Sequence, residues 1–378
     1  MLEYITYCNE RELIKCFYFL LQVVYFTALY PFVVLVIFFV LGLTLKGSSN
    51  GIHYYLTPDL SKLSDINVWV DATTQIFYSL GVAFGNLITL SSYSKFRNNC
   101  HRDAVLVSFI NCGTSFFAGF VVFSILGFMA DKEGKDISEV VTSGSALAFI
   151  TYPKAVLEMP VPPLWSFLFF SMLLTLALSS LFPTVENITT AIVDQFSLRH
   201  KKHYVTFGVC SVMFLGGISM CTNGGYYMFN LFDQVCGSWN ILVIALVEVV
   251  IVAWLYGGNK IVADIRKMEI WMPKILEYYW KMCWYLVTPI ALIFLLIMQF
   301  INTKPLTYGP PVDDQLPVGI QAMAWLIPIT CIMLIPVCGL YQIIVRYRNG
   351  KPLGWCLFKP TDNWGPPNSF MLRSDTNL

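Results

Sequence analysis

The sequence predicts an all-α, polytopic membrane protein. Of its 378 residues 56% are hydrophobic and only 12% are charged, where soluble domains carry roughly 25%. Mean hydropathy is +0.63. Apolar runs of bilayer length recur along the chain, and basic residues gather in alternate connections between them.

A helix needs about 20 apolar residues to cross the hydrocarbon core. Runs of that order fall at 23–45, 68–94, 103–130, 163–193, 203–222, 226–257, 279–301 and 321–346, which predicts eight spans. Lys95, Arg97 and Arg102 share one connection, and Arg199, Lys201 and Lys202 a second. Lys260, Arg266, Lys267 and Lys274 share a third, and Arg346, Arg348 and Lys351 open the tail. Positive residues favour the cytoplasmic side, so these four regions are expected inside and 46–67, 131–162 and 302–320 outside. The expected organisation is an atypical N-terminal segment (1–22), a membrane region (23–348) and a cytoplasmic tail (349–378). The first segment has neither a basic n-region nor a small-residue cleavage site, so it does not read as a signal peptide.

Two spans carry expected breaks. "QIFYSLGVAFGNLITLSSYSKF" (75–96) places Ser79, Gly81 and Gly85 at mid-span, although glycine costs roughly 1 kcal/mol against alanine inside a helix. In lipid a broken helix survives only where its freed backbone is buried in protein or lines a polar cavity. "LTLALSSLFPTVENITTAIVDQF" (174–196) places Ser179, Ser180 and Pro183 similarly, and proline removes a backbone donor and kinks a helix. A Gly224-Gly225 pair precedes Asp233 near the outer face.

The composition excludes several functions. A net charge of +1 without a basic cluster gives no nucleic-acid footprint. The eleven cysteines show no CxxC, which argues against a zinc site or a disulfide framework, and they are expected as small buried apolar residues. His53, His101, His200 and His203 lie in or beside loops, so metalloprotease, haem and desaturase chemistry are not expected. The chain does not read as an enzyme.

Gln75 and Ser79 lie four residues apart, on one helix face, and Asn111 and Ser115 repeat the spacing on the next span. Neutral amides and hydroxyls can surround a dehydrated anion, their oxygens can hold a hard cation such as sodium, or they can simply join helices. Glu186 and Glu248 are intramembrane carboxylates, which are rare and either paired or functional. Asp194 and Asp233 read as solvated helix ends at opposite faces. The Asn187-Ile188-Thr189 glycosylation pattern lies inside a span and is expected to be unmodified.

The stretch "YYLTPDLSKLSDINVWVDATTQIFYSLGVAFGNLITLSSYSKFRNNCHRDA" resembles the neurotransmitter:sodium symporter family (solute carrier family six). So do "NCGTSFFAGFVVFSILGFMA", "LAFITYPKAVLEMP", "PLWSFLFFSMLLTLALSS" and "DNWGPP", in the family's order. That family is a standard example of broken helices around a midplane site in an inverted-repeat fold. The resemblance implies twelve spans in the family, of which these eight match the fifth to the twelfth. The first four, with the other broken helix and part of the site, would lie outside this sequence.

By position, the resemblance implies chloride ligands at Gln75, Ser79, Asn111 and Ser115, and sodium ligands at Ser79 and Asn111. A second sodium site would use the Leu176 carbonyl with Ser179 and Ser180, although many animal relatives carry aspartate where Ser179 stands. The substrate would meet Tyr78, Ser79, Gly81, Phe84 and Ser180. Asp233 matches the outer gate, and Asp194 with Tyr93 the inner gate.

"QIFYSLG", "SILGFMA", "PLW" and "DNWGP" are most similar to the glycine and proline transporters. Phe84 stands where glycine transporters carry tryptophan, and Pro183 and Thr184 replace small residues. The implied function is sodium- and chloride-coupled symport of a small neutral amino acid across the plasma membrane, with co-transported ions and no cofactor. The implied partners are membrane lipid, ions and amino acid. A short chain that associates with full-length transporter without transporting is the alternative.

Overall fold

The computed structural model describes residues 25–140, 147–222, 224–237, 239–301, 318–348 and 350. Every extended regular element among them is helical, as the composition predicts. The segment 1–22, the motif "DNWGPP" and most of the tail 349–378 lie outside the described residues.

Among the described residues seven helices are long and apolar enough to cross a membrane: Tyr25–Thr44 (α1), Cys100–Glu133 (α5), Pro162–Phe196 (α8), Lys202–Met220 (α9), Trp239–Lys267, Lys274–Ile301 and Gly319–Arg348. Trp239–Lys267 comprises Trp239–Val250 (α11), a π-helical turn Ile251–Gly257 and Gly258–Lys267 (α12). Lys274–Ile301 comprises Lys274–Met282 (α13), a second π turn Cys283–Val287 and Thr288–Ile301 (α14). The last span belongs to Val318–Arg348 (α15). Shorter helices fill the connections: Ser48–Leu56 (α2), Ile137–Val140 (α6), Tyr152–Leu157 (α7) and Gly225–Cys236 (α10).

The stretch 68–94 is not among the seven because it is divided. Ile66–Leu80 (α3) stops, five residues turn, and Asn86–Ser92 (α4) resumes. Gly81, Ala83 and Gly85 adopt positive φ of 65°, 65° and 77°, a region where helix cannot continue. The expected break at Gly81 and Gly85 is therefore present.

Three other expectations are corrected. Helix α8 runs unbroken through Pro183. Its hydroxyls serve the backbone around the proline: Thr184 Oγ1 donates to the Ser180 carbonyl at 3.0 Å, and Ser179 Oγ to the Leu176 carbonyl at 2.8 Å. The run 226–257 is not one span either. Helix α10 ends at a Gly237 cap, and the apolar crossing is displaced to 239–267. The cysteines also differ from expectation, since six of the seven described free cysteines are exposed. Cysteine is small and apolar enough to face lipid as readily as a core.

The chain forms two compact units. The first takes residues to Trp69, Ile88–Tyr93 and Cys100–Ser211; the second takes Val70–Leu87, Ser94–Asn99 and the chain from Val212. The core of the first unit joins Val34 and Phe38 of α1 to Ile125 and Met129 of α5, Tyr152 and Ala155 of α7, and Phe169 of α8. In the second unit Leu242 and Ala245 of α11 pack with Leu292 and Leu295 of α14 and Val70 of α3. Val82 and Ala83 of the break lean on that cluster.

Helix α2 approaches α5 closely. A Cβ on Gly51 would lie 1.9 Å from the Phe123 carbonyl oxygen, and one on Gly127 would lie 2.6 Å from the Gly51 nitrogen. Both obstacles are backbone, so neither can swing aside. Gly51→Ala is expected to cost about 1–3 kcal/mol, the usual range for overpacking. Gly208 has nothing within 4 Å of its Cβ position, and Gly208→Ala should leave stability unchanged or slightly raised. Thermal unfolding in detergent distinguishes the two; equal melting temperatures would show that α2 does not hold this close seat.

Candidate functional site

In the second unit Gln75 and Ser79 occupy successive turns at the end of α3, both exposed, immediately before the break. Leu80 is the last helical residue. Gly81 N–H then bonds to the Tyr78 carbonyl at 3.0 Å and Val82 N–H to the Phe77 carbonyl at 3.2 Å. These are the last bonds the α3 turn can offer, so the following backbone has to find other partners. Tyr78 and Phe84 meet edge to face across the break, with centroids 6.2 Å apart. The cap of α10 also comes to this place: a Cβ on Gly237 would sit 3.4 Å from Tyr78 Cε2. Asp233 is exposed one turn earlier on α10.

In the first unit Asn111 is half-buried and Ser115 exposed, one turn apart on α5. On α8 the three residues Leu176, Ser179 and Ser180 converge: Ser179 Oγ donates to the Leu176 carbonyl at 2.8 Å and Ser180 Oγ to the same oxygen at 3.2 Å. Both hydroxyls thus bond back to one carbonyl of their own helix, as serine commonly does within a helix.

The first unit also holds a polar cluster that the sequence did not reveal as one. The Tyr93 hydroxyl donates to Glu186 Oε1 and lies 3.0 Å from Thr190 Oγ1. Lys202 Nζ reaches the same Glu186 oxygen, comes within 3.3 Å of the Tyr93 hydroxyl, and stands 5.6 Å from the centre of the Tyr93 ring. Thr190 Oγ1 donates to Glu186 at 3.3 Å. Glu186 is therefore paired, one of the two readings open to an intramembrane carboxylate. Nearby, Thr89 Oγ1 donates to Asn187 Oδ1 at 2.7 Å. Sequence reasoning placed Tyr93 at the inner gate but treated Lys202 only as a topogenic charge. The available signal was that an intramembrane glutamate is often paired and that Lys202 opens the next span. Asp194 is exposed two turns beyond Glu186 and takes no part in this cluster.

The family model described as the Sodium:neurotransmitter symporter family matches residues 13–346. The chain belongs to this family. Among curated relatives, the human sodium- and chloride-dependent neutral and basic amino acid transporter B(0+) is 46% identical over 352 residues, 91% of this chain and 54% of the relative. The sodium- and chloride-dependent glycine transporter 2 of Xenopus laevis is 40% identical over 347 residues, 91% and 43% of the two chains. The creatine transporter of Torpedo marmorata is 44% identical over 327 residues, 85% and 53%. The chain spans about half the length of these relatives. As a symporter-family member with seven apolar helices, it is a multi-pass membrane protein of a transport family rather than an enzyme family.

Proposed function

We propose that this chain forms the later part of a sodium- and chloride-coupled symporter for a small neutral amino acid, glycine- or proline-like, in the plasma membrane with its C-terminus in the cytosol. The observation that carries the reading is the helix break at 81–85, directly after Gln75 and Ser79 and between the rings of Tyr78 and Phe84. Broken membrane helices end in exposed backbone groups that bind ions and charged substrate ends. In this reading the broken pair α3–α4 crosses the membrane as well as the seven long helices, and the eight crossings correspond to the last eight of a twelve-span inverted-repeat fold.

In this reading Gln75, Ser79, Asn111 and Ser115 serve chloride, and Ser79 and Asn111 also serve sodium. Leu176, Ser179 and Ser180 serve a second sodium. Tyr78, Ser79, Gly81, Phe84 and Ser180 line the substrate. Asp233 closes the outer side, and Asp194 and Tyr93 the inner side. The mechanism is alternating access: ion gradients bias a cavity between two states without covalent chemistry. The names of the relatives, which mention sodium, chloride, glycine and neutral and basic amino acids, support the two ions and an amino-acid substrate.

The test is a chimera in which this chain replaces the matching part of the human B(0+) relative. Uptake of labelled glycine, proline and larger neutral amino acids is measured with sodium or chloride replaced. Uptake that needs both ions supports the reading; ion-independent uptake by a surface-expressed chimera contradicts it. Within that chimera Phe84→Trp should narrow uptake toward glycine by filling pocket volume, and identical substrate profiles would remove Phe84 from the wall. The alternative, a non-transporting chain that associates with full-length transporter, predicts instead that this chain lowers surface delivery of a co-expressed relative.

A further inference from the structure

In the second unit α12, α13 and the turn between them form an exposed patch that is both apolar and basic. Trp271 and Ile275 are each 84% exposed and Tyr278 73%. On α13 Ile275, Tyr278, Tyr279 and Met282 recur at the spacing of one helix face, and all four are exposed. The carboxylates beside this stripe are already engaged. Glu277 holds Arg266 Nη2 and Lys281 Nζ, each at 2.7 Å. Asp264 holds Lys267 at 2.9 Å, and Arg97 reaches Glu269 at 2.7 Å. Lys260 stands 5.8 Å from the centre of the Tyr256 ring. Lys274 is exposed and makes no ion pair among the described residues. Six cations thus stand against three carboxylates, which leaves an excess of three positive charges.

The apolar helix Lys274–Ile301 has 28 residues, about 42 Å at the α-helical rise. The hydrocarbon core takes about 30 Å, so about eight residues stand outside it. Charge is costly inside that core, and Lys274, Glu277 and Lys281 all lie on α13. The excess length therefore falls on α13, at the level of the headgroups, where tryptophan and tyrosine are favoured. An apolar stripe beside unneutralised lysines at that depth attracts anionic lipid. Here the positive charge is spread out and interrupted by carboxylates, which suits a headgroup of one net negative charge better than a compact polyphosphate. We propose that α12 and α13 seat phosphatidylserine of the cytoplasmic leaflet. Lys260 and Lys274 meet its phosphate and carboxylate, and Trp271, Ile275 and Tyr278 meet its upper acyl carbons. Basic connections favour the cytoplasmic side, and that leaflet carries the anionic lipids. The seat does not depend on the transport reading.

The full 378-residue chain is placed in phosphatidylcholine nanodiscs and titrated with photoactivatable phosphatidylserine. Photoactivatable phosphatidylcholine and phosphatidylinositol bisphosphate are the comparisons, and labelled peptides are identified by mass spectrometry. Phosphatidylserine should label peptides covering 258–282 saturably, with half-saturation at least about tenfold below that of phosphatidylcholine, and high salt should weaken it. Lys260→Gln and Lys274→Gln should each raise half-saturation about 5-fold, and together about 25-fold, from about 1 kcal/mol per basic residue near an anionic surface. Lys274→Arg keeps the charge and should keep the affinity. Lys46→Gln, which alters a lysine of the other unit, should change nothing. Equal half-saturation for phosphatidylserine and phosphatidylcholine, or a value unchanged in the double glutamine variant, overturns the proposal. Tighter labelling by phosphatidylinositol bisphosphate overturns it as well. So does a lysine cross-linker that joins Lys274 in two copies of the chain, which would make this face a contact between copies.

Discussion

Ser115→Glu in the chimera is expected to free uptake from chloride while leaving its need for sodium. Gln75, Ser79, Asn111 and Ser115 are all neutral, so on the proposed reading nothing fixed balances the charge of bound sodium except a mobile anion. A carboxylate at 115 supplies that charge permanently, beside Asn111 on the same α5 face. Uptake in chloride-free medium should rise on the order of tenfold over the unsubstituted chimera, equivalent to about 1.4 kcal/mol of restored charge balance. Replacing sodium should still abolish it. A variant that reaches the surface and keeps its full chloride requirement would remove Ser115 from the anion site.

The second large effect concerns the break. Gly81 and Gly85 stand at φ of 65° and 77°, and an L-residue forced into the left-handed region costs roughly 1–2 kcal/mol. Gly81→Ala with Gly85→Ala should therefore disfavour the broken conformation by about 2–4 kcal/mol, enough to lower uptake at least about 30-fold. Surface expression should persist, because the helical cores of both units are untouched. Ala83 already pays this cost at φ 65°, so Ala83→Gly should be neutral or mildly favourable to transport. Unchanged uptake in the double alanine variant would mean that the break is incidental to function.

The contrast between Gly81 and Pro183 shows what is legible in such a sequence. A glycine pair in a span signals backbone that needs positive φ, and the structure has it at both positions. Proline signals only a missing donor, and the loss of one bond does not by itself end a long helix. At Pro183 the lost bond is the one to the Ser179 carbonyl, and α8 continues past it. Hydropathy located the spans because lipid tolerates little else, but it ran 226–257 together. Helix α10 and the start of α11 are both apolar, and only the cap at Gly237 separates them. The Tyr93–Glu186–Lys202 cluster was hidden for a different reason. Its members come from α8, the start of α9 and the chain just beyond α4, and no local pattern pairs residues across elements. The seat of Tyr78 beside Gly237 is tertiary information of the same kind.

The central claim is that the break lines an aqueous, ligand-occupied cavity. The most direct measurement is chemical access to Phe84→Cys in a chimera whose other reactive cysteines are replaced. Covalent modification by a membrane-impermeant, positively charged thiosulfonate is read on the protein itself, so it does not depend on transport. The account predicts that the thiol reacts from outside the cell, and that saturating amino acid with sodium slows the reaction several-fold. A thiol that never reacts, or that reacts at the same rate with and without substrate and sodium, would contradict it and leave residues 81–85 as a packing feature.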